Sequence, residues 1–229
     1  MEIVGQLAMI TVNNFFDKVW YINLDRRTDR RDAIERALVT NNVEAERWEA
    51  QDGNPWGYSK GLLRQEVGCL ISHLNLIKHC KEVGYSKVLI LEDDAEFLPK
   101  FEYNFSERVR NLPTAWTMLY FGGNHTLTDP DARSAHPIPS SKYIIKCCYT
   151  LTTHAYGLKA AAYDVIINAL HPPDKVFNES LRQSLDLYYA ELQWKKLVNA
   201  YSFYPALITQ SDGFSDIQQC EVSYKGMIK

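Results

Sequence analysis

Three adjacent acids, Glu92-Asp93-Asp94, follow the most apolar short run of the chain, Lys87-Val88-Leu89-Ile90-Leu91. Neighbouring carboxylates repel one another unless a cation or hydrogen-bond donors offset the charge, and hard divalent ions take oxygen ligands of this kind. Strand alternation would send Glu92 and Asp94 to one side and Asp93 to the other. An E-x-D pair after a buried strand could hold Mn²⁺ or Mg²⁺ bridging a diphosphate, stabilising the charge on a departing phosphate. The same acids could equally solvate a strand end and cap the next helix. A second cluster, Arg26, Arg27, Arg30 and Arg31, follows the apolar run Val19–Leu24. Guanidinium forks bind phosphate oxygens in pairs, and a helix N-terminus adds amide donors. Taken alone, that cluster reads more simply as a solvated helix face pairing with Asp25, Asp29, Asp32 and Glu35.

Positioning these groups requires strands that end where they begin. Val19–Leu24 reads as a buried strand, followed by a helix with Thr28 as N-cap, Ala33, Ile34, Ala37 and Leu38 on one side, and Asn41-Asn42 as its stop. A strand over Val43–Ala50 closes at Asp52-Gly53. Residues 66–83 carry Val67, Leu70, Leu74 and Ile77 at helical steps, with Gly84 as terminator. After the strand at 87–91 come a helix beyond Pro99 and a strand over 117–121 that stops at Gly122-Gly123. Such alternation indicates an α/β sheet with parallel pairs, and ligands of open α/β sheets bind beyond the carboxyl ends of strands. Residues 124–142 read as a long loop, 143–152 as a strand, 158–170 and 178–196 as helices, and 201–209 as a last strand.

Composition narrows the partners. The 229 residues hold 25 Lys+Arg against 28 Asp+Glu, and the isoelectric point near 6.1 argues against nucleic acid held by phosphate neutralisation. No apolar run approaches the roughly 20 residues of a membrane helix, which leaves at most a peripheral contact with a membrane. Residues 1–20 lack the pattern of a secretory signal, and the chain ends without an ER-retention tetrapeptide. Five cysteines without metal-type spacing read as reduced thiols, so the expected location is cytoplasmic. Neither GxGxxG nor GxxxxGK[ST] occurs, which disfavours dinucleotide oxidoreductases and P-loop NTPases.

Taken in order, several pieces resemble glycosyltransferase family 25. They are Tyr21-Ile22-Asn23-Leu24-Asp25-Arg26-Arg27-Thr28-Asp29-Arg30, Ala50-Gln51-Asp52-Gly53, Glu66-Val67-Gly68-Cys69-Leu70-Ile71-Ser72-His73, Ile90–Ala95, Trp116 with Leu119–Gly123, and His154-Ala155-Tyr156. The resemblance covers about residues 18–215. It implies an α/β GT-A fold in a single domain, 1–229, built around a mixed sheet. A Rossmann-like nucleotide-sugar half at about 18–123 would be fused to an acceptor half at about 143–215. It implies inverting transfer of galactose or glucose from a UDP-sugar to an acceptor hydroxyl on a glycan, protein or lipid-linked sugar, with Mn²⁺ or Mg²⁺ as cofactor. Asp94 is then the expected direct metal ligand, with Glu92 beside it and His154 near metal or phosphate. Asn23, Arg27, Arg30, Asp52, Asp93, Ser72 and His73 map to the nucleotide side. Asp186 is the expected base, with Asp212 second. Two positions depart from the family pattern, Gln65 for Gly and Lys159 for Ser, and both are expected around donor or acceptor. Tyr188, Tyr189 and Trp194 offer an aromatic platform or core packing.

Two rivals use the same residues: a Mg²⁺-dependent phosphoesterase or nuclease, and a glycan-binding module whose catalysis has lapsed. The first calls for a more basic surface than this chain has. Retention of both the arginines and the acids argues against the second.

Overall fold

The apolar runs of the sequence become the centre of an eight-stranded mixed sheet. The structure is a computed structural model, which describes residues 8–53, 62–125, 135–170 and 183–224. Its elements run α1 (Val12–Phe15), β1 (Lys18–Asn23), α2 (Thr28–Thr40), β2 (Glu46–Glu49), α3 (Arg64–Val83), β3 (Lys87–Glu92), β4 (Ala95–Phe97), α4 (Phe101–Val109) and β5 (Met118–Tyr120). Next come β6 (Asn124–His125), β7 (His136–Ile138), β8 (Ser141–Lys146), β9 (Thr150–Leu151), β10 (Ala155–Lys159), α5 (Tyr163–Leu170) and α6 (Leu185–Trp194). The chain then forms β11 (Ala200–Phe203), β12 (Ile208–Gln210), β13 (Gly213–Ser215) and β14 (Cys220–Val222). The sheet order is β2-β1-β3-β10-β5-β11-β8-β7.

Strand alternation sorts the core into two layers. Trp20, Ile22, Val88, Ile90, Met118, Tyr120, Tyr156 and Leu158 face α3, α5 and α6. Val19, Tyr21, Leu89, Leu91, Leu119 and Phe121 face α2 and α4, where Phe101 and Phe105 pack against them. The sheet is therefore covered by helices on both faces, as parallel pairing requires. Gly84 ends α3 with φ +87°, a conformation glycine adopts without steric cost.

The parallel pairs β1–β2 and β1–β3 match the expected alternation. Several expectations are corrected. Residues 155–159 form β10, inserted antiparallel between β3 and β5, where a helix from 158 was expected; only 163–170 is α-helical. The expected strands 143–152 and 201–209 each break in two, at Cys147–Tyr149 and at Tyr204–Leu207. Thr28 is the first residue of α2, whose N-cap is Arg27, with no side-chain cap bond. The expected loop at 124–142 carries β6 and β7 and the first residues of β8; residues 126–134 within it, and 178–182 of the expected helix 178–196, lie outside the described residues.

Candidate functional site

Because β1 and β3 are parallel neighbours with Ile22 opposite Glu92, the arginine turn and the acids leave the sheet at the same edge. Asn23, buried at the end of β1, ties them together. Its Nδ2 donates to Asp93 Oδ2 at 2.7 Å and to the Arg27 carbonyl at 3.1 Å, and its Oδ1 accepts from Arg47 Nε at 3.2 Å. Arg30 Nη1 donates to Asp93 Oδ1 at 2.9 Å and lies 3.5 Å from Asp94 Oδ2. Strict alternation of the acids is not seen: the strand ends at Glu92, the chain turns, and all three acids line one cleft of about 130 Å³.

The opposite wall is the 50–53 loop seated on α3. Ser72 Oγ accepts from the Gln51 amide at 2.8 Å and donates to the Gly68 carbonyl at 2.6 Å. The seat needs two glycines: a Cβ on Gly68 would lie 2.6 Å from the Gln51 carbonyl oxygen, and one on Gly53 would overlap the Arg64 carbonyl at 1.7 Å. The hydroxyl of Ser72 thus holds the loop, and Asp52 on that loop faces the cleft, 3.8 Å from Arg26 Nε.

Glu92 Oε1 accepts from Thr153 Oγ1 at 2.5 Å and lies 3.5 Å from His73 Nε2. His73 Nδ1 in turn meets the Tyr156 hydroxyl at 2.7 Å, which meets the Tyr189 hydroxyl at 3.1 Å. Burial pushes the Glu92 carboxyl up, but the bond and charge of His73 and the bond from Thr153 outweigh it, so it titrates below its ordinary value. Asp94 goes the other way: burial first, then repulsion from Glu92, push it up to about 7 against the pull of Arg30. Its Oδ1 is buried without a hydrogen-bond partner. An orphaned carboxylate oxygen in a cleft that two further acids line fits a hard cation.

A second cavity of about 330 Å³ adjoins the first, sharing Cys69, Glu92, Gln210, Ser215, Ile217 and Tyr224. Asp186 opens onto it from the first turn of α6, where its Oδ1 accepts from Ser184 Oγ at 2.5 Å and from the Leu187 amide at 2.9 Å.

Other expected site residues sit elsewhere. Arg27 is absent from the cleft wall; it pairs with Asp29 and Asp216, and Arg26 lines the cleft in its place. His154 is buried, with Nε2 donating to the Ile208 carbonyl at 3.1 Å and Nδ1 unpartnered, and burial lowers its pKa. Among the described residues, His154 does not gather with Glu92 and Asp94 into a compact ligand trio. Asp212 is exposed and accepts from Ser223 and Tyr224. Gln65 lines the cleft, whereas Lys159 ends β10 far along the sheet, donating to the Thr114 carbonyl. Tyr189 packs in the core, while Trp194 is exposed. Gln210, Ser215, Asp216 and Tyr224, which line the cleft from the C-terminal segment, carry no local sequence signal.

Fold and site together define an α/β protein with an acid- and arginine-walled cleft at the carboxyl edge of a mixed sheet, the layout of a GT-A protein. The chain belongs to glycosyltransferase family 25: the family model described as "Glycosyltransferase family 25 (LPS biosynthesis protein)" matches residues 16–136. Procollagen galactosyltransferase 2 of Mus musculus is 25% identical over 220 residues, covering 84% of this chain and 35% of that protein. Human "Inactive glycosyltransferase 25 family member 3" is also 25% identical, over 225 residues, covering 84% of this chain and 36% of its own length. The chain therefore spans about a third of the length of these relatives. Among solved structures, a glycosyltransferase involved in the glycosylation of the major capsid of PBCV-1 is 11% identical with a TM-score of 0.38, covering 69% of this chain and 67% of that one.

Proposed function

We propose that the cleft binds a UDP-hexose and that the protein transfers its galactose or glucose, with inversion, to a hydroxyl of a glycan, protein or lipid-linked acceptor. The observation that carries this reading is the buried, unpartnered Oδ1 of Asp94 in a cleft that Arg26 and Arg30 also line. Asp94 and Glu92 would hold Mn²⁺ or Mg²⁺, which when bound supplies positive charge against the diphosphate. Arg26 and Arg30 grip phosphate oxygens and lower the cost of the departing UDP. Asp186, in the adjoining cavity, takes the proton of the acceptor hydroxyl as its oxygen bonds to the anomeric carbon and the bond from that carbon to phosphate breaks.

A panel of UDP-sugars incubated with and without Mn²⁺ tests the reading. Metal-dependent release of UDP from one hexose donor is the expected result, and Asp186→Asn should lose turnover while keeping UDP affinity. Cleavage of phosphodiesters with no affinity for UDP would establish the nuclease rival. Tight glycan binding with no release of hexose would place the chain with lapsed relatives.

A further inference from the structure

One residue on α3, Cys69, has no part in the transferase reading, and it stands beside two that do, His73 and Glu92. Cys69 and His73 stand one helical turn apart and therefore share a face. That face meets the end of β3, so Cys69 Sγ, a His73 ring nitrogen and a Glu92 carboxylate oxygen all lie within 4.8 Å of one another. We propose that Cys69, His73 and Glu92 form a soft-cation site that takes Zn²⁺ in the wall between the two cavities.

The donor chemistry favours that ion over a hard one: thiolate and imidazole select zinc, whereas Mn²⁺ and Mg²⁺ prefer oxygen. The geometry agrees. Tetrahedral zinc with ordinary bond lengths sets its ligand atoms about 3.4–3.6 Å apart, and His73 Nε2 already stands 3.5 Å from Glu92 Oε1. Supporting contacts are built in. His73 Nδ1 lies 2.7 Å from the Tyr156 hydroxyl, so that in the metal-bound form Nδ1–H can donate there while Nε2, once it has lost its proton, serves as the ligand, and Thr153 Oγ1 fixes the carboxylate at 2.5 Å. Partners of this kind orient ligands in metal sites. All five cysteines are free thiols, so Cys69 is available as a ligand; on binding it releases its proton to solvent. Cys69 and Glu92 line both cavities, which leaves the fourth position open to water. Sequence alone hides the site, because its third ligand is on a different element. The inference does not depend on the transferase reading, since it concerns binding of the metal alone.

Titrating the reduced full chain with Co²⁺, followed by displacement with Zn²⁺, tests it. One equivalent should bind with a thiolate-to-cobalt charge-transfer band. Cys69→Ser should abolish the band, and His73→Gln should weaken binding by more than the roughly 10- to 100-fold that losing an outer partner costs. Asp94→Asn should keep the band, as should Cys148→Ser, which removes a second thiol near an imidazole (His136 Nδ1, 3.9 Å). A band that survives Cys69→Ser, or disappears in Cys148→Ser, overturns the proposal. X-ray absorption on the zinc-loaded wild type reads the site without any variant: one sulfur and at least one imidazole are expected, and a sulfur-free shell refutes it.

Discussion

Asp94 is where the fold resists its own chemistry. Its carboxyl titrates near 7 because burial and Glu92 oppose its charge. Between about pH 4, where an unfolded aspartate ionises, and pH 7, the folded chain therefore holds a proton that the unfolded chain has released. Stability contributed by this group falls as pH rises through that window and stays low above it. A neutral isostere removes the penalty. Asp94→Asn is expected to raise the metal-free melting temperature at pH 8 and to leave it nearly unchanged below pH 4. It should also abolish any stabilisation by Mn²⁺, which in the wild type should be larger at pH 8 than at pH 5. Thermal unfolding at the three pH values reads all of this. A variant less stable than wild type at pH 8 would mean that Arg30, 3.5 Å away, outweighs burial.

At the scale of elements, the cleft depends on how closely the 50–53 loop sits on α3. In Gly68→Ala the new Cβ would meet backbone atoms, the Gln51 oxygen at 2.6 Å and the Gly53 nitrogen at 2.7 Å, so loop and helix must part. Overpacking of this sort costs about 1–3 kcal/mol. The variant should lower the urea midpoint and weaken UDP binding together, and unchanged values for both would show that the seat is slack. This scale also separates what local sequence could convey from what it could not. α3 and β3 were legible, because helical steps from Val67 to Ile77 and the apolar run 87–91 are local signals. β10 was not: Ala155–Lys159 is short, runs straight into three alanines, and owes its strand conformation to partners on both sides, 35 and more residues away. The site divides the same way. Arg30 and the three acids were readable as clusters, while which of Arg26 and Arg27 lines the cleft was not, because it depends on contacts with Asp216, remote in sequence.

Across the whole molecule, the cleft is closed by chain that is remote in sequence. β12 pairs with β4, directly after the acids, and so brings the segment 210–224 over the site. Asp216 then bridges the arginine turn, 2.8 Å from Arg26 and paired also with Arg27, and Arg30 Nη2 donates to the Phe214 carbonyl at 2.8 Å. Burial pushes the Asp216 carboxyl up, but the two guanidiniums outweigh it and hold it below its ordinary value. The stability from this contact is therefore complete above pH 4 and is lost as pH falls through the depressed value. Removing the charge at neutral pH should do locally what acid does. Asp216→Asn leaves two arginines facing an amide, so amide hydrogens of residues 211–224 should exchange faster while those of β1 and β3 keep their wild-type protection. Hydrogen exchange resolved by segment distinguishes the outcomes: loosening confined to 211–224 supports a latch, and equal loss of protection in the central strands would make Asp216 part of the global fold. Arg26 is shared between this contact and the proposed phosphate grip, so UDP with Mn²⁺ should also weaken the Asp216 contact in the wild type, and the exchange of 211–224 should change on its addition.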